Sequence, residues 1–187
     1  MKLFMIRHGQ TVTNLGKIYT GHMDAPLTPL GCKQAEELRP ILSQFHFDKV
    51  YSSDLSRAVL TQKLALPDVQ GIQTPLLREF DVGSLSGLTF QEAAARYGTV
   101  RDYHSFGGES SEMVSERIRK FLSTLEAEPQ DYVAAFVHGG LIKCMLQIVL
   151  EADFTKRNVI TDNCTIAVFE YNGDKWQLLA WNYMGKI

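Results

Sequence analysis

Two short runs carry the residue types that do chemistry: Met5-Ile6-Arg7-His8-Gly9-Gln10-Thr11 and Phe136-Val137-His138-Gly139-Gly140. In each, an apolar segment stops at a histidine and a glycine follows at once. A strand that ends this way delivers an imidazole to the carboxyl edge of a sheet, where open α/β folds bind ligands. The glycine lets the backbone turn sharply and approach a ligand closely. The first run adds an arginine beside its histidine. Arg7-His8-Gly9 suits a histidine that attacks a phosphoryl group held by the arginine, because a guanidinium offers a phosphate two donors at once. A third apolar run ends at Ser52-Ser53-Asp54, and Arg57 falls in the first turn of the helix expected after it. A helix amino terminus carries partial positive charge and free N–H groups. Arg7, Arg57 and His138 would therefore surround the anion that His8 attacks. Taken singly, a strand-end histidine is most often a surface or hydrogen-bonded structural group. Two of them, with two arginines near the same sheet edge, point to an anion site.

The elements that must position these residues follow from the hydrophobic pattern. Apolar runs alternate with helical periodicity, which predicts an α/β sheet. Residues 2–6 read as the first strand. Thr28-Pro29 reads as a helix start, with Thr28 capping and Pro29 in the first turn. Ala35, Leu38, Leu42 and Phe45 mark that helix's buried face. Lys49-Val50-Tyr51-Ser52 is a second strand, and Asp54 is placed to cap the helix carrying Leu55, Ala58 and Val59. Val69–Thr74 is a weak third strand, and 76–88 a glycine-punctuated loop. A short helix is expected over 89–97. A longer one starts at Ser110 or Ser111, with Val114, Ile118, Phe121, Leu122 and Leu125 as its apolar stripe. Residues 132–137 form a buried strand ending at His138. Two late strands, about 164–171 and 175–183, meet at the turn Asn172-Gly173-Asp174. Parallel strands end on one edge, so His8 and His138 can meet although far apart in sequence.

Bulk properties narrow the function classes. The chain has 187 residues, enough for one domain with a real core, and no linker or repeat interrupts 1–187. A net charge of -2 provides no field favouring nucleic acid or an anionic membrane, so any anion must be held by a local cluster of cations. The initial apolar run is too short for a signal peptide and is interrupted by Arg7-His8. No apolar run approaches the roughly 20 residues that span a bilayer. Cys32, Cys144 and Cys164 are odd in number and form no CxxC pair. They read as reduced thiols, and the expected location is cytoplasmic.

In sequence order the motifs resemble the histidine phosphatase, or phosphoglycerate-mutase-like, superfamily over nearly the whole chain. Arg7-His8-Gly9 with Thr11 and Asn14 resembles its signature. Tyr19-Thr20-Gly21, Asp24, Pro26, Leu27-Thr28, Gly31 and Gln34-Ala35 resemble the segment that follows. Ser52 to Ala58 with Thr61 resembles its second arginine motif, and Leu77-Arg78-Glu79 with Gly83 and Gly87 its acid loop. Gly108-Glu109-Ser110 and Val137-His138-Gly139-Gly140 complete the series. The resemblance implies a three-layer α/β/α fold around a central, mostly parallel sheet.

The resemblance also implies roles. His8 would be the nucleophile and form a phosphohistidine. Arg7, Arg57 and a protonated His138 would bind the phosphoryl oxygens, with Asn14 as a neutral donor. Glu79 would protonate the departing alkoxide and then take a proton from water. Asp81 is the rival acid, because Leu85-Ser86-Gly87 departs from the commoner family pattern of an aromatic and an acid before that glycine. Thr20, Gly21 and His22 are the weaker candidates for substrate contact, with Arg101, Tyr103 and Phe106 beyond them. No metal or other cofactor is expected, since the cations are side chains. The expected partner is a small phosphorylated metabolite, with no nucleic acid or membrane, and a homodimer stays open. Only residues 80–137 lie between Glu79 and His138. That short cover favours hydrolysis over transfer, hence a phosphomonoesterase, with α-ribazole 5'-phosphate as one candidate substrate. A cofactor-dependent phosphoglycerate mutase and a non-catalytic phosphate-binding module are the alternatives.

Overall fold

A computed structural model describes residues 1–100, 102–151, 159 and 161–183. In chain order the elements are β1 (Lys2–Arg7), α1 (Val12–Leu15), α2 (Pro29–Glu37), α3 (Arg39–Leu42), β2 (Lys49–Ser53), α4 (Ser56–Ala65) and β3 (Ile72–Thr74). They continue as α5 (Phe90–Tyr97), α6 (Ser111–Glu126), β4 (Tyr132–Val137), α7 (Gly139–Leu150), β5 (Ile166–Tyr171) and β6 (Trp176–Trp181). The strands form one mixed sheet in the order β3-β2-β4-β1-β5-β6. The first four in that order run parallel, while β5 is antiparallel to both β1 and β6. The sheet is thus mostly parallel, as the alternating pattern implies.

The central strands are apolar on both faces, because helices cover both. Successive residues of a strand point to opposite sides. Leu3 and Met5 of β1 join Val133, Ala135 and Val137 of β4 in a core with the α6 stripe and with Leu141, Met145 and Leu146 of α7. Phe4 and Ile6 join Ala134 and Phe136 on the other face, against Leu38, Leu42 and Ala65. This gives helix, sheet and helix layers. Among the described residues, no helix is long and apolar enough to cross a membrane.

Three local readings change. The helix expected through Phe45 breaks at Leu38, which ends α2 and begins α3. Pro40 is the reason, since it has no N–H to continue the ladder and its ring crowds the preceding turn. Asp54 does not cap α4, whose N-cap is Leu55 with no side-chain bond. Asp54 instead accepts two bonds from Arg78, Nε at 2.7 Å and Nη2 at 2.5 Å. That fork, on the residue before Glu79, outcompetes a solvated cap. The third strand begins only at Ile72. α1, opened by a Thr11–Asn14 capping box, falls in the polar stretch after the first strand where no element is expected, and the other elements agree closely with the pattern. Thr28 caps α2 by accepting from the Gly31 N–H at 3.0 Å, and Ser110 caps α6.

Candidate active site

The site grows from the parallel register of β1 and β4. Arg7 pairs with Val137, so His8 and His138 leave neighbouring strands at the same level. Their ring centroids are 5.2 Å apart. His8 is 4% exposed, and its main chain is pinned on both sides. Its N–H donates to Val137 O at 3.0 Å, and its carbonyl accepts from the Asn163 Nδ2 at 3.0 Å. The His8 Nδ1 lies 2.7 Å from Gly9 O. A carbonyl only accepts, so Nδ1 carries the proton and Nε2 keeps its lone pair. Gly9 is itself required by packing: a Cβ there would sit 2.3 Å from Gly31 O at the start of α2. Its N–H donates to Thr61 Oγ1 at 3.0 Å, and Thr61 donates to Arg57 O at 2.7 Å. The strand end and α4 are thereby stitched together.

Arg57 lies in the first turn of α4 and is 2% exposed. Its Nη1 and Nη2 donate to Met23 O at 3.0 Å and Gly21 O at 2.8 Å. Arg7 donates from Nη1 to Thr161 O, while its buried Nε has no partner among the described residues. Asn14 has its Oδ1 taken twice, by Thr11 N at 3.2 Å and Asn163 Nδ2 at 3.1 Å. The end of Asn14 left to face a ligand is therefore its Nδ2 donor.

The Glu79 carboxylate lines the same cavity and is tied to the start of α7. It accepts from Phe80 N at 3.0 Å and from Gly140 N, in the first turn of α7, at 3.0 Å. A Cβ at Gly140 would meet Glu79 Oε1 at 2.4 Å, so only glycine lets the carboxylate reach the helix end. Arg7, His8, Asn14, Arg57 and Glu79 all line one cavity of about 800 Å³. Tyr19, Phe80, Phe90 and Tyr103 form an aromatic flank on the same cavity. Tyr19 packs on Phe90 at 4.6 Å, and Tyr103 on Phe80 at 5.8 Å. Burial, with Glu79 nearby, pushes the Tyr103 phenol up to about 12, so it stays neutral. Lys143, one turn into α7, also lines the cavity; burial, then Arg7, lowers its pKa.

Both imidazoles are held well below the usual histidine range. For His8 the causes are burial, then Arg57 and Arg7. For His138, which is fully buried with neither ring nitrogen bonded among the described residues, they are burial, Arg57 and His8. Burial and the neighbouring cations thus disfavour the protonated form of His138 before any phosphoryl group is bound. The unfolded chain, by contrast, takes up protons at both residues below about pH 6.5. The stability these two groups contribute is accordingly full above that pH and falls as the pH drops through it. The urea midpoint at about pH 5.5 is expected below that at about pH 7.5, with a smaller difference in His138→Gln. A midpoint that does not change over this range would contradict the assignment.

His8, Arg7, Arg57, Asn14 and Glu79 meet at one cavity, with Thr20 and Gly21 on its wall, whereas His138, beside His8, is fully buried behind the lining residues. His22 is not on that wall. Its Nε2 donates to Glu79 O at 2.8 Å, and it faces Asp81 and Glu109 at 3.9 and 4.0 Å. It braces the acid loop, because the carbonyl of Glu79 captures the ring. Asp81 also stays off the cavity wall, with Oδ1 accepting from Gly83 N at 2.9 Å. Tyr103 lines the cavity and Phe106 does not; Arg101 lies outside the described residues. Asn163, Lys143 and Arg117 escaped the sequence reading.

The family profile of the histidine phosphatase superfamily (branch 1) matches residues 3–184, and the chain belongs to that family. It is 31% identical to a broad-specificity phosphatase of Saccharomyces cerevisiae, over 96% of this chain and 84% of the relative. It is 34% identical to the adenosylcobalamin/alpha-ribazole phosphatase of Escherichia coli, over 78% of this chain and 77% of the relative. Phosphoglycerate mutases also stand among the relatives. The solved structure of a mycobacterial glucosyl-3-phosphoglycerate phosphatase, complexed with VO3, superposes with a TM-score of 0.88 at 27% identity, covering 98% of this chain and 99% of that one. Within the superfamily the chain is a phosphatase enzyme.

Proposed function

We propose that the protein is a metal-independent phosphomonoesterase that hydrolyses a small phosphorylated metabolite through a phosphohistidine at His8. The observation that carries this reading is the His8 ring. Its Nδ1–H is held by Gly9 O, Nε2 is left as the nucleophilic atom, and two guanidiniums and a carboxylate share the cavity.

The reaction has two displacements. In the first, the Nε2 lone pair bonds to phosphorus as the P–O ester bond breaks, and Glu79 gives its proton to the leaving oxygen. Positive charge on the phosphorylated ring is drawn toward the Gly9 carbonyl. In the second, a water oxygen bonds to phosphorus, Glu79 takes the water's proton, and the P–N bond breaks. Neutral His8, inorganic phosphate and protonated Glu79 are restored. Arg7 and Arg57 hold the equatorial oxygens, where catalysis is chiefly positioning and charge stabilisation. Asn14 adds a neutral donor. A phosphoryl dianion held by the two guanidiniums would offset the cationic field on His138 and raise its proton affinity, so that it donates to the bound group.

The aromatic flank supports a ring-bearing leaving group, for which the cavity leaves ample room. α-Ribazole 5'-phosphate fits that description, and an Escherichia coli relative is named for this class of activity. Thr20 and Gly21 would contact the leaving group. The test is phosphate release from p-nitrophenyl phosphate, α-ribazole 5'-phosphate and 3-phosphoglycerate by chelator-treated protein. Hydrolysis is expected with chelator present, with the aromatic and nucleoside esters ahead of 3-phosphoglycerate. Conversion of 3- to 2-phosphoglycerate faster than either is hydrolysed would replace this reading with the mutase one. Activity that returns only on adding a metal would overturn it as well.

A further inference from the structure

We propose that Arg117 is a positioning residue for Glu79, setting the acid through the main chain of residues 76–81; this rests on the reading of Glu79 as general acid. The Glu79 carboxylate has its own two N–H donors, yet the loop that carries it is mostly irregular and has no strand or α-helix ladder to hold it. Beside His22 and the Arg78–Asp54 fork, Arg117 anchors the loop from α6. Its Nη1 donates to Leu76 O at 2.9 Å and its Nη2 to Glu79 O at 3.0 Å. The Nε and Nη2 also grip Glu109, at 2.9 Å to Oε1 and 2.9 Å to Oε2. The same Glu109 Oε2 accepts the Asp81 N–H at 2.9 Å. One guanidinium and its carboxylate thus tie the loop at residues 76, 79 and 81. A planar fork with several fixed donors does this, whereas a lysine ammonium has neither the reach nor the geometry.

The pair is well shielded, with 13% and 16% of the side chains exposed, so the bidentate bond is not a solvent-weakened surface bridge. Arg117 does not line the cavity. Any effect on turnover must therefore pass through another group. The tie also explains the backbone crowding beside it: a Cβ on Gly108 would stand 2.3 Å from Asp81 O, so the loop and the start of α6 are fitted main chain to main chain.

The experiment compares wild type, Arg117→Lys, Arg117→Met, Glu79→Gln and the Arg117→Lys/Glu79→Gln double variant on phosphate esters graded by leaving-group basicity. Misplacing a catalytic group by about an ångström costs roughly 10–100-fold. Arg117→Lys is expected to lose about that factor in kcat for alkyl esters and only a few-fold for p-nitrophenyl phosphate. Arg117→Met should behave like Arg117→Lys, because the fork and not the charge sets the loop. In the double variant the Arg117→Lys step should add nothing to Glu79→Gln. Equal losses for every leaving group, full rescue by lysine, or losses that add in the double variant would overturn the proposal. If Arg117→Lys does not fold, Glu109→Gln, which weakens the anchor and also alters a side chain on the cavity wall, should show the same leaving-group pattern at smaller size, and a flat pattern would overturn the proposal. A Glu79→Gln variant with no leaving-group dependence removes the acid reading itself, and the Arg117 role with it.

Discussion

Replacing His8 by alanine is expected to lower phosphate release by on the order of 10⁴–10⁶-fold, as when the nucleophile of a covalent mechanism is deleted. The size follows from what the site leaves behind. Arg7, Arg57 and Asn14 still bind a phosphoryl group, but the only attacking atom is then a water that nothing positions. The loss should lie in kcat. Inorganic phosphate, titrated calorimetrically, should bind the variant with affinity within a few-fold of wild type. The fold should survive, because His8 holds its place chiefly through its main chain, bonded to Val137 O and Asn163 Nδ2, and alanine keeps both contacts. Removing an imidazole whose proton affinity is depressed by burial and two arginines also relieves an acid-sensitive group. A folded His8→Ala protein that keeps more than about a hundredth of wild-type turnover would exclude His8 as nucleophile.

Glu79→Gln is expected to cost 10²–10⁴-fold for esters of basic alcohols, in the range of a positioned general acid. A nitrophenolate departs without a proton, so p-nitrophenyl phosphate should lose far less. The substitution nearly preserves shape. However, one carboxylate oxygen that accepts from Phe80 N or Gly140 N becomes an NH2 group facing a donor, so binding contacts weaken modestly too. That part is common to all substrates. Asp81→Asn is the paired control. Its Oδ1 caps the Gly83 N–H away from the cavity, and turnover should change by no more than a few-fold. A uniform loss across leaving groups in Glu79→Gln, or the graded loss appearing in Asp81→Asn instead, would move the acid role.

The parts of this site that the sequence makes legible are those fixed by strand ends. An apolar strand that stops at His-Gly declares both its edge and its chemistry, and two such strands in parallel register bring His8 and His138 together. Arg57 was visible because a helix start follows β2. Other features depend on long-range competition and leave no local period. Asp54 looks like a cap until Arg78 arrives from a distant loop. His22 looks like a pocket residue until the Glu79 carbonyl takes its ring. Asn163 reaches His8 from a segment whose neighbours carry no motif. Arg117 reads as an ordinary polar position on the flank of the α6 stripe, and only the folded chain shows it at Leu76, Glu79 and Glu109. The lowered proton affinity of His138 comes from burial and nearby cations, which spacing does not express. The helix break at Pro40, by contrast, was written in the residue itself, while the buried period of Ala35, Leu38 and Leu42 ran across it.

The most direct test of the phosphohistidine is rapid acid-free quenching of the enzyme during turnover of a radiolabelled phosphate ester, followed by peptide mapping. One label is expected, stable in alkali and lost in acid as a phosphoramidate should be, on the peptide containing His8. It should form and decay at rates that account for turnover, and be absent from His8→Ala. Turnover at full rate with no label at any quench time, or label confined to another residue, would contradict it.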